Sequence, residues 1–309
     1  MNGILIVDKP QGVTSHDVVD ELRKLLKQKS IGHAGTLDPL ATGLLVCLVG
    51  EATKLSQFVM DQDKTYEVLV RLGVKTDSGD ITGKIVQEKT VEVNEDRVRD
   101  VVESLKGPLE LCVPKYSAVK VAGRKLYEYA RKQEDVEVPL KTMTIHEVKI
   151  KEIQPSAVHL EIWCGKGTYV RSWVEKLGEL LGCGATVEKL RRIGSGRFGM
   201  EQATSLAEIA ALPYEERQTK LLPMPSALGD WPSLKLVGRD LVLVRNGQIP
   251  RGVMSMLRTM DERKGVKFIT AEGRLAALAV REGLAKVKLA RVFHDLGPES
   301  AVDTQQSVR

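Results

Sequence analysis

The sequence predicts an α+β fold with a mixed, mostly antiparallel central sheet, followed by a small β-rich C-terminal domain. Three observations predict it. Strand-like segments alternate apolar and polar residues instead of running as continuous valine and isoleucine; at 65–72, Tyr66, Val68, Val70 and Leu72 alternate with Glu67 and Arg71. Strands and helices succeed one another irregularly, which disfavours a doubly wound parallel sheet. The most proline-dense stretch, 222–232, precedes short strand patterns punctuated by Gly247, Gly252, Gly265, Gly273 and Gly283, and reads as a linker to a domain of roughly eighty residues.

Taken in order, residues 3–7 form an apolar strand that ends in the turn Asp8-Lys9-Pro10-Gln11-Gly12. Thr14 and Ser15 open a helix with Val18, Val19, Leu22, Leu25 and Leu26 on one face. A buried strand is expected at 43–49 and a helix at 51–60, with Leu55, Phe58 and Val59 inward. A polar loop, 75–83, separates the 65–72 strand from another at 84–89, and Asn94 caps a helix that Gly107-Pro108 ends. Strands at 142–150 and 157–163, a helix at 172–181, a strand at 185–193 and a capped helix at 205–211 complete the first domain. Beyond the linker, strands are expected at 274–280 and 286–293, and the last dozen or so residues read as a frayed tail.

Composition excludes several classes. The 309 residues are 42% hydrophobic and 28% charged, an ordinary globular balance, with no run of about eighteen apolar residues and no signal-peptide pattern, so a cytoplasmic protein without membrane contact is expected. Cys47, Cys112, Cys164 and Cys183 form no Cys-x-x-Cys pair and read as buried thiols. The five histidines show no ligand spacing, so no metal is expected. Forty-six basic against 41 acidic residues, a net +5, permits a polyanionic partner without demanding one. No dinucleotide fingerprint, Walker motif or nucleophile elbow is present.

The stretch from His33 to Gly43, His-Ala-Gly-Thr-Leu-Asp-Pro-Leu-Ala-Thr-Gly, puts one carboxylate and one imidazole on a glycine-rich, proline-stiffened loop. Pro39 pushes Asp38 toward an extended backbone, while Gly35 and Gly43 allow conformations that a Cβ forbids. Taken alone, Asp38-Pro39 is also an ordinary turn start. A carboxylate kept ionised and aimed by a nearby arginine suits nucleophilic attack at an anomeric carbon, although the second carboxylate of a glycosidase is not evident. Between 114 and 132, Lys115, Tyr116, Lys120, Arg124, Lys125, Tyr127, Tyr129, Arg131 and Lys132 interleave cations with rings, either as a nucleic-acid grip or as a solvated hairpin and helix.

Several segments together carry a resemblance. Residues 3–10 with Gly12, Thr14, Ser15 and His16, the 33–43 loop, Gly50-Glu51-Ala52-Thr53-Lys54, Lys64-Thr65-Tyr66, Gly167-Thr168-Tyr169-Val170-Arg171 and Leu190-Arg191-Arg192 closely resemble, in order, the TruB family of tRNA pseudouridine synthases. The resemblance covers residues 3 to about 200 and implies a pseudouridine-synthase fold over 1–230, a PUA-like RNA-binding domain over 231–295 and a tail at 296–309. It implies isomerisation of the uridine at position 55 in the T-arm loop of tRNA, by breaking the glycosidic bond and rejoining the base through carbon. No cofactor and no metal are implied.

Residue by residue, the resemblance makes Asp38 the nucleophile, Arg171 its partner and Tyr169 the acceptor of the C5 proton. Tyr66 would stack on the flipped base, His33 would wedge into the loop or contact the flipped nucleotide, Leu190 would wall the pocket and Lys54 would meet phosphate. An inward core role is the plainer alternative for Tyr66 and Leu190. Residues 115–145 would be an inserted clamp on the T-arm, gripping with Lys120, Arg124, Lys125, Tyr127 and Arg131. A bacterial-type enzyme acting as a monomer, with tRNA its partner and no obligate protein subunit, is expected. A guide-RNA-dependent relative, a non-catalytic tRNA-folding chaperone and a nucleoside hydrolase are the alternatives.

Overall fold

The computed structural model describes residues 1–258, 265–282 and 286–294. The expected tail at 296–309, residue 295 and the turn at Gly283 lie outside the described residues. The chain opens with β1 (Gly3–Lys9) and α1 (Ser15–Leu25), whose Thr14 cap and Asp17 side chain satisfy each other's backbone amides. β2 (Ile31–His33) leads through the 34–41 loop to β3 (Thr42–Val49), every residue of which after Thr42 is buried.

The helix expected at 51–60 is instead a 3₁₀ segment, Gly50–Leu55, followed by α2 (Ser56–Met60). Thr53 Oγ1 donates to the Gly50 carbonyl at 2.8 Å, a local bond that tightens the first turn. β4 (Lys64–Leu72), β5 (Val74–Thr76) and β6 (Ile85–Glu88) precede α3 (Glu95–Ser104), where Asn94 accepts the Arg97 amide. Gly107–Cys112 is a strand, β7, that periodicity did not reveal: it is short, sits at a sheet edge and carries Pro108 where no ladder donor is needed.

The 115–145 insertion contains the hairpin β8 (Lys120–Val121) and β9 (Arg124–Lys125), then α4 (Leu126–Lys132). β10 (Leu140–Gln154), β11 (Ala157–Cys164), α5 (Val170–Leu181), β12 (Ala185–Ser195), β13 (Phe198–Gly199) and α6 (Leu206–Ala211) follow.

The main sheet runs β1-β3-β12-β4-β11-β10-β7, with β2 beside β3 and β13 beside β12. Its one parallel pairing, β3 with β12, sets Arg191 against Thr42 and Arg192 against Gly43. Gly43 has φ +97°, and a Cβ there would stand 2.2 Å from the Arg192 carbonyl, so only glycine admits this approach. Helices α1, α3 and α5 cover one face over a core that includes Val18, Leu22, Val101, Trp173 and Leu177. Trp173 is fully buried and its indole donates to the Leu105 carbonyl at 3.0 Å. Trp173→Ala is therefore expected to cost about 3–5 kcal/mol in urea denaturation, and Trp173→Phe about 1–2 for the stranded carbonyl.

The proline-dense 222–232 stretch is no free linker. Met224–Leu228 forms a 3₁₀ turn whose Met224, Ala227 and Leu228 are buried with Ile4, Leu44 and Val46 on the other face of β1 and β3. The C-terminal unit is a four-stranded sheet, β14 (Ser233–Lys235), β15 (Val266–Ile269), β16 (Leu275–Glu282) and β17 (Lys286–Val292), in chain order. It also holds two helices that the β-rich reading missed, α7 (Gly238–Arg245) and α8 (Arg251–Arg258). In α7 the run Leu241-Val242-Leu243-Val244 resembles a buried strand, but Leu241 and Val244, three apart, are the pair that packs against the sheet. Leu275, Leu278 and Phe293 join the β1 and β3 cluster, so the two units share a core. Cys47, Cys164 and Cys183 are buried as expected, whereas Cys112, on edge strand β7, is exposed. Among the described residues no helix is long and apolar enough to cross a membrane.

Candidate active site

The 34–41 loop is held from three sides. Ser15, 2% exposed at the start of α1, accepts the Leu37 amide at 2.8 Å and donates to the Leu37 carbonyl at 3.1 Å, fixing the residue before Asp38. The Pro39 carbonyl accepts the Gly12 amide, and the Asp38 carbonyl accepts the Ala41 amide. The Lys9 ammonium, buried under the loop, donates to the Pro10 and Val13 carbonyls, and burial pulls its pKa down to about 8. Leu37, Leu40 and Ala41 anchor the loop in the core, which leaves the Asp38 carboxylate facing outward into a cleft.

The cleft is a cavity of about 760 Å³, large enough for a nucleotide. Asp38 Oδ2 receives Arg171 Nε at 2.9 Å, the guanidinium 6% exposed beneath a carboxylate that is 36% exposed. The other arms of Arg171 donate to the Ser78 carbonyl at 2.9 Å and the Tyr116 carbonyl at 3.0 Å, so the cation is fixed before any substrate arrives. Burial raises the Asp38 pKa above the ordinary carboxylate range, Arg171 opposes the rise, and Asp80 adds to it. Burial likewise raises the phenols of Tyr66 and Tyr169, and lowers the His33 imidazole with help from Arg192 and His16. His33 Nδ1 is buried without a hydrogen-bond partner.

Six of the seven residues singled out for catalysis and substrate binding therefore line one cleft: Asp38, Tyr169, Arg171, His33, Tyr66 and Leu190. From the insertion, Lys125 and Tyr127 reach the same wall, beside Tyr116 and Ser117. Lys120 is exposed on the hairpin, Arg124 pairs with Glu134 at 2.9 Å and lies 4.2 Å over the Tyr129 ring, and Arg131 lies 5.3 Å over Tyr127. Lys54 is not brought to the cleft. Its ammonium pairs with Glu51 at 2.6 Å and donates to the Val292 carbonyl at 3.0 Å, tying the C-terminal sheet to the Gly50–Leu55 segment. Two cleft residues carried no role in the sequence reading, Lys64 and Arg192, yet strand alternation held a signal: Leu190 and Arg192, two apart on β12, share a face.

Comparison with known proteins decides the family. Residues 23–170 match the model of the TruB family pseudouridylate synthase N-terminal domain, and 171–229 that of the tRNA pseudouridylate synthase B C-terminal domain. The tRNA pseudouridine synthase B of Bdellovibrio bacteriovorus is 39% identical over 299 residues, covering 94% of this chain and 97% of that protein. That of Aromatoleum aromaticum is 40% identical over 265 residues, 85% and 86% of the two chains.

The chain belongs to the TruB family of pseudouridylate synthases. It is accordingly an isomerase that forms pseudouridine. Two solved structures share the fold at a TM-score of 0.70. One, a crystal structure of a Cbf5-Nop10-Gar1 complex, is 25% identical and covers 94% of this chain and 84% of its own. The other, an H/ACA RNP bound to a substrate RNA containing 2'-deoxyuridine, is 23% identical with 94% and 85% covered. The pseudouridine-synthase fold expected from the TruB-like segments is thus the one observed.

Proposed function

We propose that this protein isomerises uridine 55 in the T-arm loop of tRNA to pseudouridine, with Asp38 as the catalytic carboxylate. The observation that carries the reading is the Asp38–Arg171 pair at 2.9 Å, pinned at both ends and open to a nucleotide-sized cleft. The names of the tRNA pseudouridine synthase B relatives support tRNA as substrate. A base within a folded T-loop is unreachable unless it is flipped out, and the half-enclosed cleft between Tyr66, Leu190 and His33 suits a flipped uracil. Uracil leaves as a resonance-stabilised anion, so a second carboxylate to protonate the leaving group is not required. Asp38 acts on the sugar, Arg171 keeps it ionised and aimed, and the neutral Tyr169 phenol, close enough to feel both charges, relays the proton that leaves C5, accepting it on oxygen as it passes its own hydrogen to the Asp38 carboxylate.

The enzyme works as a cytoplasmic monomer without an obligate protein subunit, and needs no metal and no cofactor. Residues 231–295 act as a PUA-like RNA-binding domain and the 115–145 insertion as the T-arm clamp. Within that clamp Lys125 and Tyr127 reach the cleft wall, so Lys125→Ala and Tyr127→Ala are expected to weaken T-arm binding by about 1 kcal/mol or more. Lys125→Ala should also reduce the salt dependence of binding by about one phosphate contact, read by titration at several ionic strengths.

The test is tritium release from a T-arm stem-loop labelled at uridine C5, with the product mapped. Release from one loop uridine, with pseudouridine appearing there, supports the proposal. Tight binding without release points to a chaperone or a guide-dependent enzyme, and free uracil to a hydrolase.

A further inference from the structure

Three arginines converge on this end of the sheet and differ in what answers their charge. Arg171 is paired with Asp38 at 2.9 Å and Arg191 with Asp8 at 2.7 Å. Among the described residues no carboxylate pairs with Arg192, although it is 1% exposed. Its Nε donates to the Leu44 carbonyl at 2.7 Å and a terminal nitrogen to the Gly35 carbonyl at 3.0 Å, both neutral partners. It stands opposite Tyr66 in the β12–β4 register, and both line the cleft.

Burying a guanidinium without a counter-charge is costly, and the cost persists only where something compensates it. The fold shows what the charge does meanwhile. It helps push down the Lys9 and Lys64 ammoniums and the His33 imidazole, and its positive charge opposes the burial that raises the Tyr66 phenol. The inner end of the cleft is thus a fixed positive site with no resident anion among the described side chains other than Asp38, which Arg171 already holds.

We propose that Arg192 is a catalytic residue: its charge, presented beside Tyr66, stabilises the uracil anion released when the glycosidic bond breaks. The inference rests on the isomerisation proposed above. When the C1′–N1 bond breaks, its electron pair stays with N1 and spreads onto O2 and O4, while the Asp38 carboxylate meets the electron demand of the sugar. The base stays anionic until C5 bonds to C1′; C5 then loses its proton and N1 takes one up, which closes the balance as an isomerisation. A buried cation already fixed by the Leu44 and Gly35 carbonyls needs no reorganisation at the moment the charge appears.

The experiment measures single-turnover glycosidic cleavage at saturating T-arm stem-loop, with uridine or 5-fluorouridine at the target, for wild type, Arg192→Lys and Arg192→Gln. Fluorine makes the base a better anion, so a lost stabiliser matters less. Arg192→Gln is expected to slow the uridine substrate by about 10²–10³-fold and the fluorinated one at least about tenfold less, with RNA affinity within about threefold. Arg192→Lys should recover part of the rate. Should Arg192→Gln not fold, the same ratio on Arg192→Lys decides: its displaced charge is expected to slow uridine more than 5-fluorouridine, and equal slowing of both overturns the inference. Equal slowing of both substrates, or weakened RNA binding alone, overturns the inference while the isomerisation stands; a wild type that breaks no glycosidic bond overturns both.

Discussion

Asp38→Asn is expected to stop isomerisation and leave RNA binding intact: single-turnover tritium release should fall by about 10⁴-fold or more, and T-arm affinity should stay within about threefold. The substitution is nearly isosteric, and the loop is fixed by the Ser15–Leu37 and Gly12–Pro39 bonds, which do not involve the carboxylate. On the proposed reading, what is lost is the ionised oxygen that acts on the sugar. Because burial raises the Asp38 pKa, the wild-type rate should fall as pH drops through a value above the ordinary carboxylate range of about 3.9. Release by Asp38→Asn above about 1% of the parental rate would assign the chemistry to another group.

Arg171→Met gives the second large effect, in rate and stability together. Its guanidinium makes three directed contacts, to Asp38, the Ser78 carbonyl and the Tyr116 carbonyl, and joins the 34–41 loop, the 77–83 loop and the start of the 115–145 insertion. Removing it leaves two carbonyls without their donor and a carboxylate without its cation. We expect a rate loss of about 10²–10³-fold and a stability loss of roughly 2–3 kcal/mol, below the value for a fully buried pair because Asp38 is open to the cleft. The sign of the pH effect separates the two roles. Arg171 favours the ionised carboxylate, so without it the Asp38 pKa rises further and the acid limb of the residual activity moves to higher pH. A residual rate with an unmoved acid limb would reduce Arg171 to a structural strut.

The sheet strands were legible because each buries one face: β4 and β11 show a strict period of two, and the capping residues Thr14, Asn94 and Ser205 mark helix starts. β7 and α7 were not legible. β7 has few residues and an edge position, and α7 owes its form to two side chains meeting a sheet, which no local pattern encodes. Lys54 is the clearest case of tertiary override: its motif context suggested phosphate, but chain packing brings Glu51 and the Val292 carbonyl within reach of its ammonium.

By itself the sequence determined the fold class, the loop that presents Asp38 and the residue types on which the chemistry depends, because periodicity, Pro39 and the glycines act over a few residues. Arg171 was expected from the family resemblance to partner Asp38; only the tertiary structure decided how it is held, by the Ser78 and Tyr116 carbonyls with Nε 2.9 Å from the carboxylate, and that Arg192 lies buried opposite Tyr66. Distance and desolvation belong to the packed chain: burial, the largest influence on Asp38, His33 and Lys64, exists only once the chain has folded, and only then does Arg171 reach Asp38 from α5 and Arg192 reach His33 and Lys64 from β12.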